Sequence, residues 1–142
     1  MFAGIAPFSI VLGKMLKQKK KKVKIVSSEL NKKASEYAEK NVYLNKLQDI
    51  VEVRQGDSRK LGKEKFDFII MARPNLKETF LKAALRYSKK GTQIYYYGFG
   101  FEEDVLSEIK KDAGSKIGKI EIRKAGDIAP GKYRFLAKFK VR

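Results

Sequence analysis

The first residues of the chain have the types and spacing of a turn that holds a cofactor. Ala3-Gly4-Ile5-Ala6-Pro7 offers small side chains where a ligand would lie against the backbone, and an apolar helix pattern follows at once. In α/β proteins such a turn follows the first parallel strand and places an adenosine-type cofactor at a helix N-terminus. Because Ala6 stands where a second glycine would complete the G-x-G-x-x-G pattern, an ordinary helix-start turn is the alternative.

Two acidic residues follow at predicted strand ends. Glu29 lies 25 residues after Gly4, near the roughly 20 residues at which an acid accepts the ribose hydroxyls. Asp57, in Gly56-Asp57-Ser58, follows the next strand, where a carboxylate can accept from an adenine amino group. A surface glutamate and an ordinary turn aspartate are the alternatives. Gly4, Glu29 and Asp57 at three successive strand ends are more specific together than singly.

Three further stretches have two interpretations each. Arg73, in Ala72-Arg73-Pro74-Asn75 after an apolar strand, could bind a phosphate or a substrate anion, or be a solvated loop residue. Tyr95-Tyr96-Tyr97 could stack on a base, although packing in the core is the favoured interpretation. The run Lys19 to Lys22 is either a phosphate contact or a solvated loop.

The composition excludes several kinds of chemistry. The 142 residues contain no cysteine and no histidine, so disulfides, thiolate metal sites, imidazole catalysis and the usual zinc ligands are excluded, and no metal site is predicted. Proton transfer must use carboxylates, lysine, tyrosine or water. The net charge of +17 predicts a polyanionic partner, most commonly nucleic acid, although an ion-paired lysine-rich surface is the alternative. A cytoplasmic location without membrane association is expected.

Hydrophobic periodicity predicts one α/β domain over residues 1–142. Pro7 opens the first predicted helix and Asn31 caps the second, whose inward residues include Tyr37 and Leu44. The apolar run 66–71 predicts a strand buried on both faces. The predicted elements are helices near 7–17, 31–45, 75–88 and 102–112, and strands near 23–28, 50–54, 66–71, 92–97, 117–123 and 133–141. This alternation with a terminal strand pair is typical of the Rossmann-like methyltransferase sheet, mostly parallel with an antiparallel last strand.

With these residues placed, the chain resembles the archaeal and eukaryotic tRNA guanine-N1 methyltransferases that modify the base 3′ of the anticodon. The first motif, Phe2 to Ile10, is close to the family pattern D-M-F-A-G-V-G-P-F-S-I. Pro7-Phe8-Ser9 favours this family over the related wybutosine-pathway aminocarboxypropyl transferases, which carry His-Leu-Ser there. Further matching stretches are Lys40 to Lys46, Gly56 to Arg59, Ile94 to Tyr97 and Ala129 to Tyr133.

The resemblance implies a class I S-adenosylmethionine-dependent methyltransferase fold and a set of site residues. S-adenosylmethionine is the implied cofactor, with Glu29 on its ribose and Asp57 on its adenine, and tRNA is the implied partner. The residues expected to bind the cofactor are Phe2, Ala3, Gly4, Ile5, Ala6, Pro7, Phe8, Glu29, Leu30, Asp57 and Ser58. The residues expected to bind substrate are Arg73, Pro74 and Asn75. No catalytic residue is assigned.

Departures from the family pattern bear on activity. The family has an asparagine that orients the guanine where this chain has Ala72, so that role does not carry over. The family's first strand and its N-terminal domains, which supply the catalytic carboxylate and arginine, precede the position of Met1. We therefore expect a truncated or split gene product, with the central strand between 23–28 and 66–71 supplied by a second polypeptide, replaced by direct pairing of those strands, or encoded upstream. The alternatives to a methyltransferase are an inactive basic RNA-binding fragment, an inert fragment and an aminocarboxypropyl transferase relative.

Overall fold

The computed structural model describes residues 1–142, which form two compact units, Met1–Leu61 and Gly62–Arg142. The single domain expected from the sequence stays a prediction. The first unit contains α1 (Pro7–Gln18), β1 (Ile25–Glu29), α2 (Lys32–Leu44), β2 (Val51–Gln55) and a 3-10 turn (Ser58–Lys60). The second contains β3 (Phe66–Met71), α3 (Leu81–Arg86), β4 (Ser88–Gly100), α4 (Glu102–Ala113), a 3-10 turn (Gly114–Lys116), β5 (Glu121–Ala129) and β6 (Lys132–Lys140).

The first unit is a parallel strand pair with two helices. β1 and β2 pair from Ile25 opposite Val51 to Glu29 opposite Gln55, so both strands end at the same edge. Pro7 begins α1, and the Asn31 side chain caps α2 by accepting from the Ala34 amide at 2.9 Å. Burial of an apolar cluster between the helices and the strands stabilises the unit. The core consists of Val42, Leu47, Ile50 and Val51, with Ile10, Val23, Ile25 and Val53 packed against it.

The second unit contains a four-stranded sheet in the order β3-β4-β6-β5. β3 and β4 are parallel, whereas β6 runs antiparallel to both β4 and β5. β3, β4 and β5 therefore share one direction and the last strand is reversed, which confirms the predicted α/β sheet with an antiparallel last strand. Pro130 and Gly131 lie between β5 and β6, and Gly131 takes the positive φ of 73° that this hairpin connection needs.

The predicted helix from Asn75 to Ser88 is wrong over its first half. Residues 72–80 form a loop, and α3 is a helix of 6 residues from Leu81 to Arg86. Phe80 has a φ of 58°, a left-handed conformation that cannot continue a right-handed helix. α3 ends at Arg86, and Gly91, a residue type that often follows a helix, lies inside β4 instead.

Three details of burial and extent also differ from the sequence predictions. Ser35 occupies the buried face of α2, which leaves Tyr37 and Leu44 exposed. β3 is not buried on both faces, because Phe68 is 67% exposed. The strand predicted over 117–123 begins only at Glu121.

β1 and β3 belong to different sheets, so the direct pairing of the strands near 23–28 and 66–71 does not occur. None of the helices combines the length and apolar character that crossing a bilayer requires.

Candidate functional site

The glycine turn is attached to the carboxyl end of β1. The Ala3 amide donates to the Ser28 carbonyl at 2.9 Å, and the Ala6 amide donates to the Ala3 carbonyl at 2.8 Å. Gly4 has a φ of 54°, a conformation that glycine adopts at little cost. A methyl group at Gly4 would meet no atom within 4 Å, so the backbone here is open to an approaching ligand.

Glu29 is held at the end of β1 by two backbone amides. Its Oε2 accepts from Gly4 at 2.8 Å, and its Oε1 accepts from Asn31 at 2.9 Å. The side chain is half-buried. Each carboxylate oxygen has a further lone pair, so this fixed carboxylate can accept two neighbouring hydroxyl groups. These two acceptor oxygens and the open backbone at Gly4 fit an adenosine-bearing ligand.

The end of β2 is fastened to the end of β1. The Gly56 amide donates to the Glu29 carbonyl at 2.8 Å, and Gln55 Nε2 donates to the Leu30 carbonyl at 3.0 Å. Asp57 follows Gly56 directly. The structure thus brings Gly4, Glu29 and Asp57 to one edge of the parallel pair, which is where ligands bind in such sheets.

The Asp57 carboxylate already has a partner in Arg59. Asp57 Oδ1 accepts from the Arg59 amide at 2.8 Å, and Oδ2 accepts from Arg59 Nη2 at 2.7 Å. Arg59 Nε lies 3.0 Å from Oδ1 and 2.9 Å from Oδ2. The hydrogen bond from the Arg59 side chain holds the pKa of Asp57 below its usual range. An adenine amino group would therefore share this carboxylate with a guanidinium.

The remaining residues expected at the cofactor site lie around this edge. Phe2 has a φ of 59° and is half-buried, and Ala6 is buried at the start of α1. Ser58 is buried, whereas Pro7 is exposed. Ile5, Phe8 and Leu30 are exposed. Their roles in binding stay predictions.

Asn41 contributes to the site and was not predicted. Its Nδ2 donates to the Ile5 carbonyl at 3.1 Å and so ties the glycine turn to α2. Asn45 Nδ2 in turn donates to the Asn41 carbonyl at 2.7 Å. Both asparagines lie in the Lys40 to Lys46 stretch that carries the family resemblance, and this was the signal that could have found them.

Arg73 in the second unit is buried, so it is not a solvated loop residue. It is 4% exposed, and its Nη2 donates to Glu108 Oε2 at 2.9 Å. Its guanidinium carbon lies 4.9 Å from the centre of the Tyr96 ring, and Tyr96 is fully buried, as the core interpretation predicted. Pro74 and Asn75 are exposed. Binding of substrate by Arg73, Pro74 and Asn75 stays a prediction.

The lysine run near the end of α1 is solvated. Lys19, Lys20, Lys21 and Lys22 are all exposed. The flanking lysines form ion pairs, Lys17 with Asp49 at 3.0 Å and Lys24 with Glu52 at 2.9 Å. Exposed pairs of this kind contribute little to stability. The exposed run is available for contact with a polyanion.

Comparison with known protein families gives a match over most of the chain. The sequence profile described as the TRM5/TYW2 methyltransferase domain matches residues 1–122. The tRNA (guanine(37)-N(1))-methyltransferase Trm5b of Pyrococcus abyssi is 34% identical over 148 aligned positions, covering 99% of this chain and 42% of that protein. The chain thus spans less than half the length of this curated relative.

Solved structures share the fold. A Methanocaldococcus jannaschii Trm5 structure in complex with adenosine is 30% identical, with a TM-score of 0.82, covering 100% of this chain and 42% of that chain. The M. jannaschii TYW2 structure in complex with AdoMet is 29% identical, with a TM-score of 0.81, covering 100% of this chain and 67% of that chain.

Proposed function

The chain belongs to the TRM5/TYW2 methyltransferase domain family, and from this premise we propose that it is the S-adenosylmethionine-binding part of an enzyme that methylates N1 of a guanine next to the tRNA anticodon. The observation that carries the proposal is the glycine turn joined to Glu29 by the Gly4 amide at 2.8 Å. Related structures in complex with adenosine or AdoMet support the choice of cofactor.

Glu29 would hold the ribose, because its two oxygens are fixed by backbone amides and keep free lone pairs for two hydroxyls. Asp57 would accept from the adenine amino group. The backbone of Phe2 to Phe8 would lie along the cofactor, with Leu30 and Ser58 beside it. S-adenosylmethionine supplies an activated methyl group when bound, and the protein mainly positions the guanine in line with it.

Arg73, Pro74 and Asn75 follow the carboxyl end of β3, the end of a parallel strand where ligands bind in α/β sheets. We assign the exposed Pro74 and Asn75 to the substrate side. We propose that proton removal from N1 falls to a group in the N-terminal domains, where the family resemblance places the catalytic carboxylate.

The partner proposed for this chain is tRNA. The net charge of +17 and the exposed lysine run Lys19 to Lys22 suit a polyanion. We propose that a further polypeptide segment, on a second chain or upstream, supplies the strand beside β1 and the N-terminal domains of the family. Modification of tRNA would take place in the cytoplasm.

A basic RNA-binding role without catalysis is the second candidate. Ala72 in place of the family asparagine and the burial of Arg73 both favour it, because they remove polar groups from the substrate side. An aminocarboxypropyl transferase is less favoured, since Pro7-Phe8-Ser9 resembles the methyltransferases.

Calorimetric titration with S-adenosylmethionine tests the proposed site, and micromolar binding is expected. Incubation with tRNA and cofactor labelled either in the methyl group or in the aminocarboxypropyl group then tests the reaction. Transfer of the methyl label alone supports the proposal, and transfer of the other label identifies the alternative transferase. Cofactor binding without transfer, together with salt-dependent tRNA binding, would favour the RNA-binding role. A folded chain that binds no cofactor would overturn the site.

A further inference from the structure

The loop of residues 72–80 is fastened to α4 at both of its ends. At the first end, Arg73 Nη2 donates to Glu108 Oε2 at 2.9 Å. At the second end, the Thr79 hydroxyl donates to Asp112 Oδ2. Glu108 and Asp112 are four residues apart on α4, so their side chains lie one above the other on a single helix face.

In the first attachment Arg73 is buried and Glu108 is half-buried. Glu108 Oε2 also accepts from the Tyr96 hydroxyl at 2.6 Å, so one carboxylate oxygen joins the loop, β4 and α4. Burial raises the pKa of the Tyr96 hydroxyl above its ordinary value, so Tyr96 stays a donor. Arg73 Nη1 donates to the Leu76 carbonyl at 2.9 Å, which curls the loop over the guanidinium. Because a buried charge is costly without its partner, this pairing favours one loop conformation.

The second attachment positions the start of α3. The Leu81 amide donates to Thr79 Oγ1 at 3.1 Å, while the same hydroxyl donates to Asp112. Thr79 is buried and Leu81 is fully buried. Between the two attachments, residues 74–78 are exposed. The loop is therefore fixed at its ends and presents its middle to solvent.

We propose that Glu108 and Asp112 are positioning residues, which hold the loop 72–80 so that its exposed middle meets the target base, and that Arg73 serves as the first anchor and does not contact substrate. This rests on the proposed function for the identity of the substrate. The two anchoring contacts, Arg73 with Glu108 and Thr79 with Asp112, are called the α4 clamp below.

Hydrogen exchange on the full chain tests the α4 clamp without requiring activity. In Arg73→Ala and Glu108→Gln, amides of residues 75–80 should exchange at least 10-fold faster than in the wild type. The exchange rates of amides 94–96 in β4 should stay within twofold of their wild-type values. Lys77→Ala and Glu103→Gln are matched controls, because both side chains are exposed and lie in the same loop and helix. Unchanged exchange at residues 75–80 in both clamp variants would overturn the proposal.

Kinetics with tRNA separates positioning from direct contact. Glu108→Gln should lower kcat at least 10-fold while KM for S-adenosylmethionine stays within twofold, and Arg73→Lys should recover part of the loss seen in Arg73→Ala. A raised KM for tRNA with unchanged kcat in Arg73→Ala would overturn the positioning role and indicate an anion contact. If the folded wild-type chain binds no S-adenosylmethionine, the proposed function fails, whereas the exchange experiment still decides the clamp. Thr79→Val with Glu108→Gln replaces Arg73→Ala if that variant does not fold.

Discussion

The backbone amide of Gly4 donates a hydrogen bond to Glu29 Oε2 at 2.8 Å, so the glycine turn and the acid at the end of β1 form one unit. The carboxylate is thereby oriented before any ligand arrives. Preorganisation of this kind reduces the entropy lost on binding. Changes at Glu29 should therefore lower affinity for the cofactor and also loosen the glycine turn, because the Gly4 and Asn31 amides would lose their acceptor.

Glu29→Ala should weaken S-adenosylmethionine binding about 10-fold or more, because a charge-assisted pair of hydrogen bonds to the ribose is lost. Glu29→Gln should weaken it less, since the amide keeps one acceptor oxygen. Calorimetric titration measures both. Glu36→Ala is the matched control, an exposed glutamate on α2 that should leave affinity unchanged. Equal affinities for the folded Glu29 variants and wild type would refute the ribose assignment.

Arg59→Ala should raise the pKa of Asp57 toward the ordinary aspartate value of 3.8, because the Arg59 hydrogen bond is the main cause of its lowering. A pKa that is lowered by folding stabilises the protein above the unfolded pKa, and this stabilisation is lost as the pH falls through the folded pKa. As the pH falls below about 4, the Arg59→Ala protein should therefore lose less stability than the wild type loses. Carboxyl NMR titration from acid to neutral pH measures the pKa. Lys60→Ala should shift it less, since the Lys60 side chain acts on the Asp57 carboxylate only through its charge.

Lys21→Gln/Lys22→Gln should reduce the salt dependence of tRNA binding. Each phosphate contact that is lost lowers the slope of log K against log salt by about 0.7 to 0.9, so two lost contacts lower it by roughly 1.5. Lys32→Gln/Lys33→Gln makes the same change in charge at exposed positions of α2 and serves as the control. Binding measured by fluorescence anisotropy across a salt series gives the slopes. Identical slopes for the two double variants would indicate that Lys19 to Lys22 is only a solvated loop.

The local signals in the sequence predicted much of the first unit. Asn31 followed by an amphipathic run predicted the capped helix, and Pro7 predicted where α1 begins. These features depend on residues close in sequence, which is why they could be read directly. The face of α2 was misjudged because Ser35, a small polar residue, packs inward where the larger Tyr37 was expected. Packing against β1 and β2 decides which face of α2 is buried, and the sequence pattern carries no information about that packing.

The loop 72–80 could not be predicted because its structure depends on distant partners. Arg73 and Thr79 contact Glu108 and Asp112, which are 35 and 33 residues further along the chain. In the sequence, Glu108 and Asp112 are indistinguishable from ordinary residues on the polar face of an amphipathic helix. The hydrogen bonds at the edge of β1 and β2 were partly predictable, since strand ends and turn acids locate Glu29 and Asp57. The pairing of Asp57 with Arg59 was visible only in the structure.

Gly98 in β4 is required by close packing against α4, so Gly98→Ala should destabilise the protein. A Cβ at this position would lie 2.5 Å from Val105 Cγ1 and 2.7 Å from Cγ2, and Val105 is buried. Overpacking of this kind costs about 1–3 kcal/mol, which denaturant unfolding would measure. Gly118→Ala is the control, because its Cβ would meet only the Lys140 carbonyl at 3.7 Å. Val105→Ala should recover part of the loss when combined with Gly98→Ala, since it removes both clashing methyl groups. A Gly98→Ala protein as stable as wild type would show that α4 can shift away from β4.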